Sequence, residues 1–139
     1  MNLGRLQPAT LALLRVATGL CFLEHGTAKL FGFPPDARYL HAHLSPLMLL
    51  AGILEAVGGA LIVLGWFTRP VAFLLAGEMA VAYFMAHAPR SVFPAINGGD
   101  AAILYCFIFL YLAVSGGGLL SVDRLSGSGR RAFGRRAAA

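Results

Sequence analysis

At 139 residues the chain holds material for one domain, and 58% hydrophobic against 12% charged residues sets it far from soluble domains, which average roughly 45–50% apolar and about 25% charged. A soluble helical bundle needs a polar outer face on each helix, and long runs here have none, so the composition points to a membrane protein. The net charge of +5 does not mark a nucleic-acid surface, because five of the eleven basic residues follow Ser121 and the charge belongs to the tail.

Crossing the hydrocarbon core takes roughly 20 apolar residues, and the first run of that length is 8–33. It carries Arg15, Glu24, His25 and Lys29, and no small-residue cleavage site follows it. It is therefore expected to be a span and not a signal peptide. At about 100° per residue, Arg15, Gly19, Phe22, Gly26 and Lys29 fall on one stripe, with His25 at its margin and Glu24 on the opposite side. The stripe is expected to face inward, with Phe22 as a packing aromatic. Lys29, near the outer end, is placed to snorkel to the interface. Cys21, like Cys106 further on, reads as a small buried hydrophobe with no CxxC or Cys/His metal spacing around it.

GFPPDAR ends this run, and a loop holding His41 and His43 follows; the pair lacks the further ligands a metal would need. The second span is 46–66, where Gly52, Glu55, Gly58, Gly59 and Ile62 line up as a small-residue surface around one carboxylate. GWFTRP is a tight turn into the third span, 70–87, where Leu74, Glu78, Ala82 and Met85 share a face. Pro46 and Pro70 suit first-turn positions. HAPRSVFPAINGGD separates it from the fourth span, 101–120, with Asp100 as the expected N-cap. Tyr83, Tyr105 and Tyr111 read as packing or interface aromatics. The chain is thus expected to be all-α, a four-helix transmembrane bundle over 1–125, followed by a basic disordered tail, 126–139. That tail is expected to act as a topology signal, with contact to anionic lipid as the alternative.

With an even number of spans, both termini and the Thr68 to Arg69 turn share one side. That side holds Arg5, Arg69, Arg124, Arg130, Arg131, Arg135 and Arg136, against Arg38 and Arg90 on the other. Both termini are therefore expected to be cytoplasmic and all four histidines outer.

An ionisable group inside a span costs at least about 2.5–3.5 kcal/mol on insertion scales, so it should face the bundle interior with a partner. Glu24, Glu55 and Glu78 each lie roughly 13 Å from the outer ends of their spans, and Arg15 lies roughly 10 Å from the inner end of its own. Arg15 is expected to pair with Glu55 or Glu78, or to bridge both. Two cations, Arg15 and Lys29, face three glutamates, which leaves a carboxylate to hold a proton or be shared by a ligand or partner. The same network can also serve only to fix helix register, and both readings stand at this stage. His25 and His87 differ in depth and do not suit a haem. No phosphate loop, paired nucleophile and base, or nucleotide fingerprint is present, and no inverted repeat encourages a carrier.

Laid out in this order, the chain resembles the DoxX family of small four-helix membrane proteins, from about Leu14 to Leu125. The resemblance rests on LLRVATGLCFLEHGTAKLFGFP, GILEAVGGALIVLGWFTRP, GEMAVAYFMAHAP and FPAINGGDAAILYCFIFLYLAVSGGGLLSVDRL. Where the family often has Gly-Pro-Gly before a final Ser-x-Asp, this chain has Gly116, Gly117 and Gly118 before Ser121-Val122-Asp123. Where Glu often follows NGG, it has Asp100. The residues matching the family pattern are Arg15, His25, Gly26, Lys29, Glu55, Glu78, Asn97 and Asp100. The resemblance implies a multi-pass protein of the cytoplasmic (inner) membrane, in contact with lipid. It also implies a link to thiosulfate:quinone or thiol and oxidative-stress oxidoreduction, with a quinone as cofactor, an oxidoreductase partner subunit and a homo-oligomer among the expectations. In that reading Glu55 and Glu78 relay protons, Arg15 and Lys29 hold the ligand, His25 sits at the outer mouth, and Asn97 and Asp100 complete the binding residues. No metal is expected. A non-enzymatic scaffold or assembly factor, its Arg/Glu network purely structural, is the alternative.

Overall fold

A computed structural model describes residues 3–36, 39 and 43–127, all helix, turn and loop with no strand among them. His41, Arg38 and residues 128–139 of the basic tail lie outside the described residues. A short 3-10 turn, Leu3–Leu6, leads into α1, Gln7–Phe31, which Gly32 ends in a left-handed conformation (φ 66°). Helix α2, Pro46–Leu64, starts on the Ser45 side chain, which accepts from the Met48 N–H, and stops at Gly65, also left-handed. Helix α3, Thr68–Ala82, continues into a π-helical turn, Tyr83–His87. A single turn, α4 (Pro94–Asn97), precedes α5, Asp100–Ser115, and another, α6 (Val122–Leu125), closes the described chain.

Three of these helices, Gly4–Phe31 with its leading turn, Pro46–Leu64 and Thr68–His87, are long and apolar enough to cross a membrane, and α5 is a shorter apolar one. Their outer faces suit lipid: Leu13, Val57, Phe73, Phe107 and Val114 are exposed, an apolar surface that a soluble monomer would not present. Helix α5 stops five residues before the expected end of the fourth span, because Gly116 to Gly118 leave the helix and the chain folds back beneath the bundle. Asp100 also departs from expectation. The N-cap is Gly99, and Asp100 is the first helical residue, its side chain exposed and making no cap.

Two helix pairs form the bundle: α1 packs along α2, α3 along α5, and a narrower α2 to α3 contact joins them. The α2 face expected from the pattern is the buried one, Gly52, Glu55, Gly58, Gly59 and Ile62. Its glycines allow backbone to meet backbone. A Cβ on Gly26 would stand 2.3 Å from the Ala56 amide nitrogen, and one on Gly59 would stand 2.6 Å from that of Leu23. Gly26→Ala is therefore expected to push α1 from α2 and cost about 1–3 kcal/mol, read as a lower melting temperature in detergent. Gly77→Ala, which would meet nothing within 4 Å on the lipid side, should leave stability equal or slightly raised.

The expected α3 face is corrected by about one residue. Leu74 and Met85 point outward, and the buried stripe is Thr68, Ala72, Leu75, Ala76 and Met79, with Glu78 half-buried at its margin. Two neighbours set this rotation. Leu75 fills the notch that Gly58 leaves in α2, and the small Ala72 and Ala76 lie in the core shared with Ala102, Phe109 and Leu112 of α5. Cys21 and Cys106 are free, but neither is fully buried; Cys21 is exposed and Cys106 partly so.

Candidate functional site

The polar residues separate into two clusters at different levels of the bundle. At the end holding Arg5, Arg69 and Arg124, Arg15 is fully buried. It does not pair with either expected glutamate. Its Nε donates to the Gly117 carbonyl at 2.7 Å, Nη1 to those of Ile62 at 2.6 Å and Val63 at 2.5 Å, and Nη2 to that of Leu120 at 3.1 Å. Ile62 and Val63 lie in the last turn of α2, where the capping Gly65 N–H reaches the Ile62 carbonyl, and the guanidinium completes this helix end and ties it to the 116–121 loop. The carboxylate acting electrostatically on it is Asp123.

Asp123 is a residue to which sequence reasoning assigned no role. Its Oδ1 accepts from the Phe67 N–H and its Oδ2 from the Thr68 N–H, both at 2.8 Å, capping α3 from 55 residues away because Phe67 has no capping side chain. Ser121, buried, caps α6 by accepting from the Arg124 N–H at 3.3 Å. The signal was present in the Ser-x-Asp that follows the glycine run. Arg69 adds a further tie, donating to the Val114 carbonyl at 2.7 Å near the end of α5. These contacts place the N-terminal turn, the α2 to α3 turn and the end of α5 at one end of the bundle.

The second cluster holds Lys29, Glu55 and Glu78. Lys29 does not snorkel. Its ammonium turns inward and donates to Glu55 Oε1 as an ion pair, leaving side chains only 10% and 5% exposed, with the Tyr39 ring 5.9 Å from the ammonium. The stripe geometry explains the choice, because Lys29 leaves α1 on the face packed against α2. Glu55 Oε2 and both oxygens of Glu78 are shielded and have no hydrogen-bond partner among the described residues, and Glu78 lies within electrostatic range of both Glu55 and Lys29. With Arg15 committed elsewhere, one cation faces two carboxylates among the described residues. That imbalance is sharper than the sequence count allowed.

The other candidates make contacts of their own. His25 meets Tyr105 edge-on, ring centroids 6.1 Å apart. Asn97 is buried and holds its own loop: its amide donates to the Ser91 carbonyl at 2.8 Å, its Oδ1 accepts from the Gly99 N–H at 2.7 Å, and its carbonyl lies 3.1 Å from His87 Nδ1. Glu24 is exposed on the side of α1 opposite the stripe, as expected. Tyr105 packs as expected of it, edge-on to Phe22 and His25 and stacked on Phe109.

Apolar helices with lipid-suited outer faces and charged groups turned inward define a multi-pass helical membrane protein. The chain belongs to the DoxX family, whose sequence profile, described as DoxX, matches residues 10–88. That stretch includes Arg15, His25, Lys29, Glu55 and Glu78, while Asn97 and Asp100 lie beyond it. A Haemophilus influenzae protein named as uncharacterized is 42% identical over 126 residues, covering 88% of this chain and 94% of its own. The Escherichia coli "Inner membrane protein YphA" is 30% identical over 88% of this chain and 94% of its own. "Inner membrane protein YqjF" of the same organism is 28% identical over 87% and 95%. No solved structure matches the chain. The protein is accordingly a multi-pass protein of the inner membrane.

Proposed function

We propose that this protein is the membrane subunit of a quinone-linked oxidoreductase. The observation that carries the reading is the unsatisfied carboxylate set, Glu55 Oε2 with both oxygens of Glu78, close to the Lys29 ammonium. Buried acceptors without donors call for an occupant that supplies hydrogen bonds or protons. A quinone accepts electrons and takes up protons at its carbonyl oxygens as it is reduced. In this role Lys29 holds a ligand carbonyl, Glu78 and Glu55 pass protons, and His25 stands toward the outer mouth. The electrons come from a partner subunit that oxidises thiosulfate or a thiol.

The topology proposed with it has four spans, both termini cytoplasmic, and residues 1–125 as one membrane domain. Supporting this, Arg5, Arg69 and Arg124 belong to one end of the bundle and His87 and Asp100 to the other. Helix α5, about 24 Å long, is short for a core of about 30 Å, and the 116–121 loop under it supplies polar backbone at the interface.

The test is Glu78→Gln, which keeps shape and removes the charge. Wild type extracted in mild detergent is expected to carry quinone detectable by mass spectrometry, and the variant to retain at least fivefold less at an unchanged melting temperature. A second reading, a scaffold or assembly factor, draws on Arg15, whose donors all go to backbone carbonyls, and on the Lys29 and Glu55 pair, which satisfies itself in part. It predicts a copurifying protein partner and no quinone in either form.

A further inference from the structure

Among the described residues only two that are not glycine have a left-handed backbone, Phe67 (φ 50°) and Leu120 (φ 56°). That region suits glycine and costs energy for any residue with a Cβ, so each side chain is kept where glycine would relieve the strain. Both residues belong to the end of the bundle that holds Arg15. Their side chains do not pay for the strain by packing inward: Leu120 is 89% exposed, and Phe67 is exposed beside Trp66, ring centroids 5.4 Å apart. The backbone beneath them is fixed, since Asp123 holds the Phe67 N–H and the Leu120 carbonyl accepts from Arg15. Large apolar side chains held outward on a fixed backbone, with a tryptophan among them, suit a membrane–water boundary.

Arg69 fixes where that boundary lies. Its Nη1 donates to the Val114 carbonyl at 2.7 Å, and the Val114 side chain is 74% exposed on the outer face of α5. Because α5, about 24 Å long, ends short of a core of about 30 Å, the guanidinium covering its last carbonyls lies at the edge of the hydrocarbon. Nε and Nη2 of Arg69 donate to no acceptor among the described residues. One edge of the planar fork is therefore open, an edge that can take two oxygens of a phosphate. Arg124 belongs to the same joint: the Asp123 N–H donates to the Gly65 carbonyl at 3.0 Å and its carboxylate takes the N–H groups of Phe67 and Thr68, so Arg69 and Arg124 each stand one residue from that cap. Asp123 is the only acid at this end among the described residues, and both its oxygens are given to backbone. Arg69 and Arg124 are exposed and form no ion pair among the described residues.

We infer that this rim is a binding site for an anionic phospholipid, its phosphate held on the Nε and Nη2 edge of Arg69 with Arg124 beside it, and its first acyl carbons against Val114. Charge complementarity selects the headgroup. Guanidinium groups without acidic partners match a lipid of net negative charge, whereas a zwitterionic lipid brings a cation of its own to the same place. Depth selects a lipid over a soluble partner, because Arg69 is bonded to a residue whose side chain faces hydrocarbon. None of these residues belongs to the Lys29, Glu55 and Glu78 cluster, and the lipid site is independent of any redox role.

The experiment equilibrates the full chain with equal parts phosphatidylglycerol and phosphatidylcholine, then counts the lipids that stay bound by native mass spectrometry. Wild type is expected to retain phosphatidylglycerol over phosphatidylcholine at least fivefold. Arg69→Gln and Arg124→Gln should each bring that ratio below twofold. Arg124 makes no side-chain hydrogen bond among the described residues, so its variant should do so at an unchanged melting temperature, which separates loss of the lipid from loss of the fold. Arg90→Gln, exposed at the opposite end, should keep the wild-type ratio, as should glutamine at Arg130, Arg131, Arg135 and Arg136 of the tail. If wild type shows no preference, or if either rim variant keeps it, the site is wrong. Loss on changing the tail would assign the preference to the tail, and equal loss in Arg90→Gln would reduce it to net charge; either result overturns the inference. A protein that copurifies with wild type but not with Arg124→Gln would give the rim a protein partner and overturn it too.

Discussion

Replacing Arg15 with methionine is expected to prevent accumulation of the folded bundle, the largest effect of any single change in this protein. Methionine fills much of the same volume, so a cavity is not the cause. The loss is that of donors: the carbonyls of Val63, Gly117 and Leu120 accept from one fully buried guanidinium, which also shares the Ile62 carbonyl with the Gly65 N–H. A hydrogen bond from a charged group contributes about 1.5–3 kcal/mol, and buried acceptors stripped of donors cost about 1–3 kcal/mol each. Even with heavy discounting for non-additivity the sum is several kcal/mol, comparable with the whole stability of a domain, about 5–15 kcal/mol. Asp123 would also lose its buried cationic neighbour and, with it, support for the cap it makes on α3. Arg15→Lys should recover part of the fold but not all, because an ammonium is a point donor and cannot span carbonyls that a planar fork reaches on two elements. Expression level and detergent melting temperature should rank wild type above Arg15→Lys and Arg15→Met lowest. Equal stability of wild type and Arg15→Met would show that the guanidinium serves a ligand and not the scaffold.

This division of labour makes the bundle intelligible. At one end, ionic and polar groups are spent on closing helix ends: Arg15 on α2, Asp123 on α3, Arg69 on α5. Further along, Lys29, Glu55 and Glu78 turn toward one another, and among the described residues the hydrogen bonding of the two carboxylates is left incomplete. A rigid base beneath an unsatisfied polar cluster is the arrangement a binding site needs, since the first holds the second in register.

How much of this could be read in the sequence depends on what each residue's position reports. Glycine and glutamate at helical spacing in α2 gave its buried face residue for residue, because close packing of α1 permits only one rotation of that helix. In α3 the same rule was off by about one position. Its apolar residues run all the way round, and only the notch at Gly58 and the small Ala72 and Ala76 decide which side turns inward. The pattern of α1 places Arg15 inside the bundle and points to carboxylates as its partners; backbone carbonyls at the end of α2 and in a glycine loop about 100 residues away carry no residue-type signature. The short reach of α5 was hidden for a related reason, since Leu119 and Leu120 continue the apolar composition after the glycines have ended the helix. Lys29 was expected at the interface from its depth alone, and its rotation toward Glu55 decided otherwise.

Removing the cation of the second cluster is expected to show whether that cluster is a site or a strut. Lys29→Met leaves Glu55, 4% exposed, beside Glu78 with no other cation near either among the described residues. Breaking a buried pair from one side costs about 3–5 kcal/mol, because the remaining charge stays unpaired, whereas replacing both members with apolar groups of similar volume is often neutral or stabilising. Lys29→Met should therefore melt well below wild type, and Lys29→Met with Glu55→Leu should recover most of the loss, a coupling that additivity would not produce. Stability and ligand retention then part company. If the cluster binds a quinone, the double variant is folded yet carries none, because the ammonium that holds the ring carbonyl and one of the proton-passing carboxylates are both gone. If the cluster is a strut, wild type and the double variant look alike in every ligand measurement and differ only in melting temperature. A double variant that is both stable and still loaded with quinone would remove Lys29 and Glu55 from the binding site and leave Glu78 to account for it.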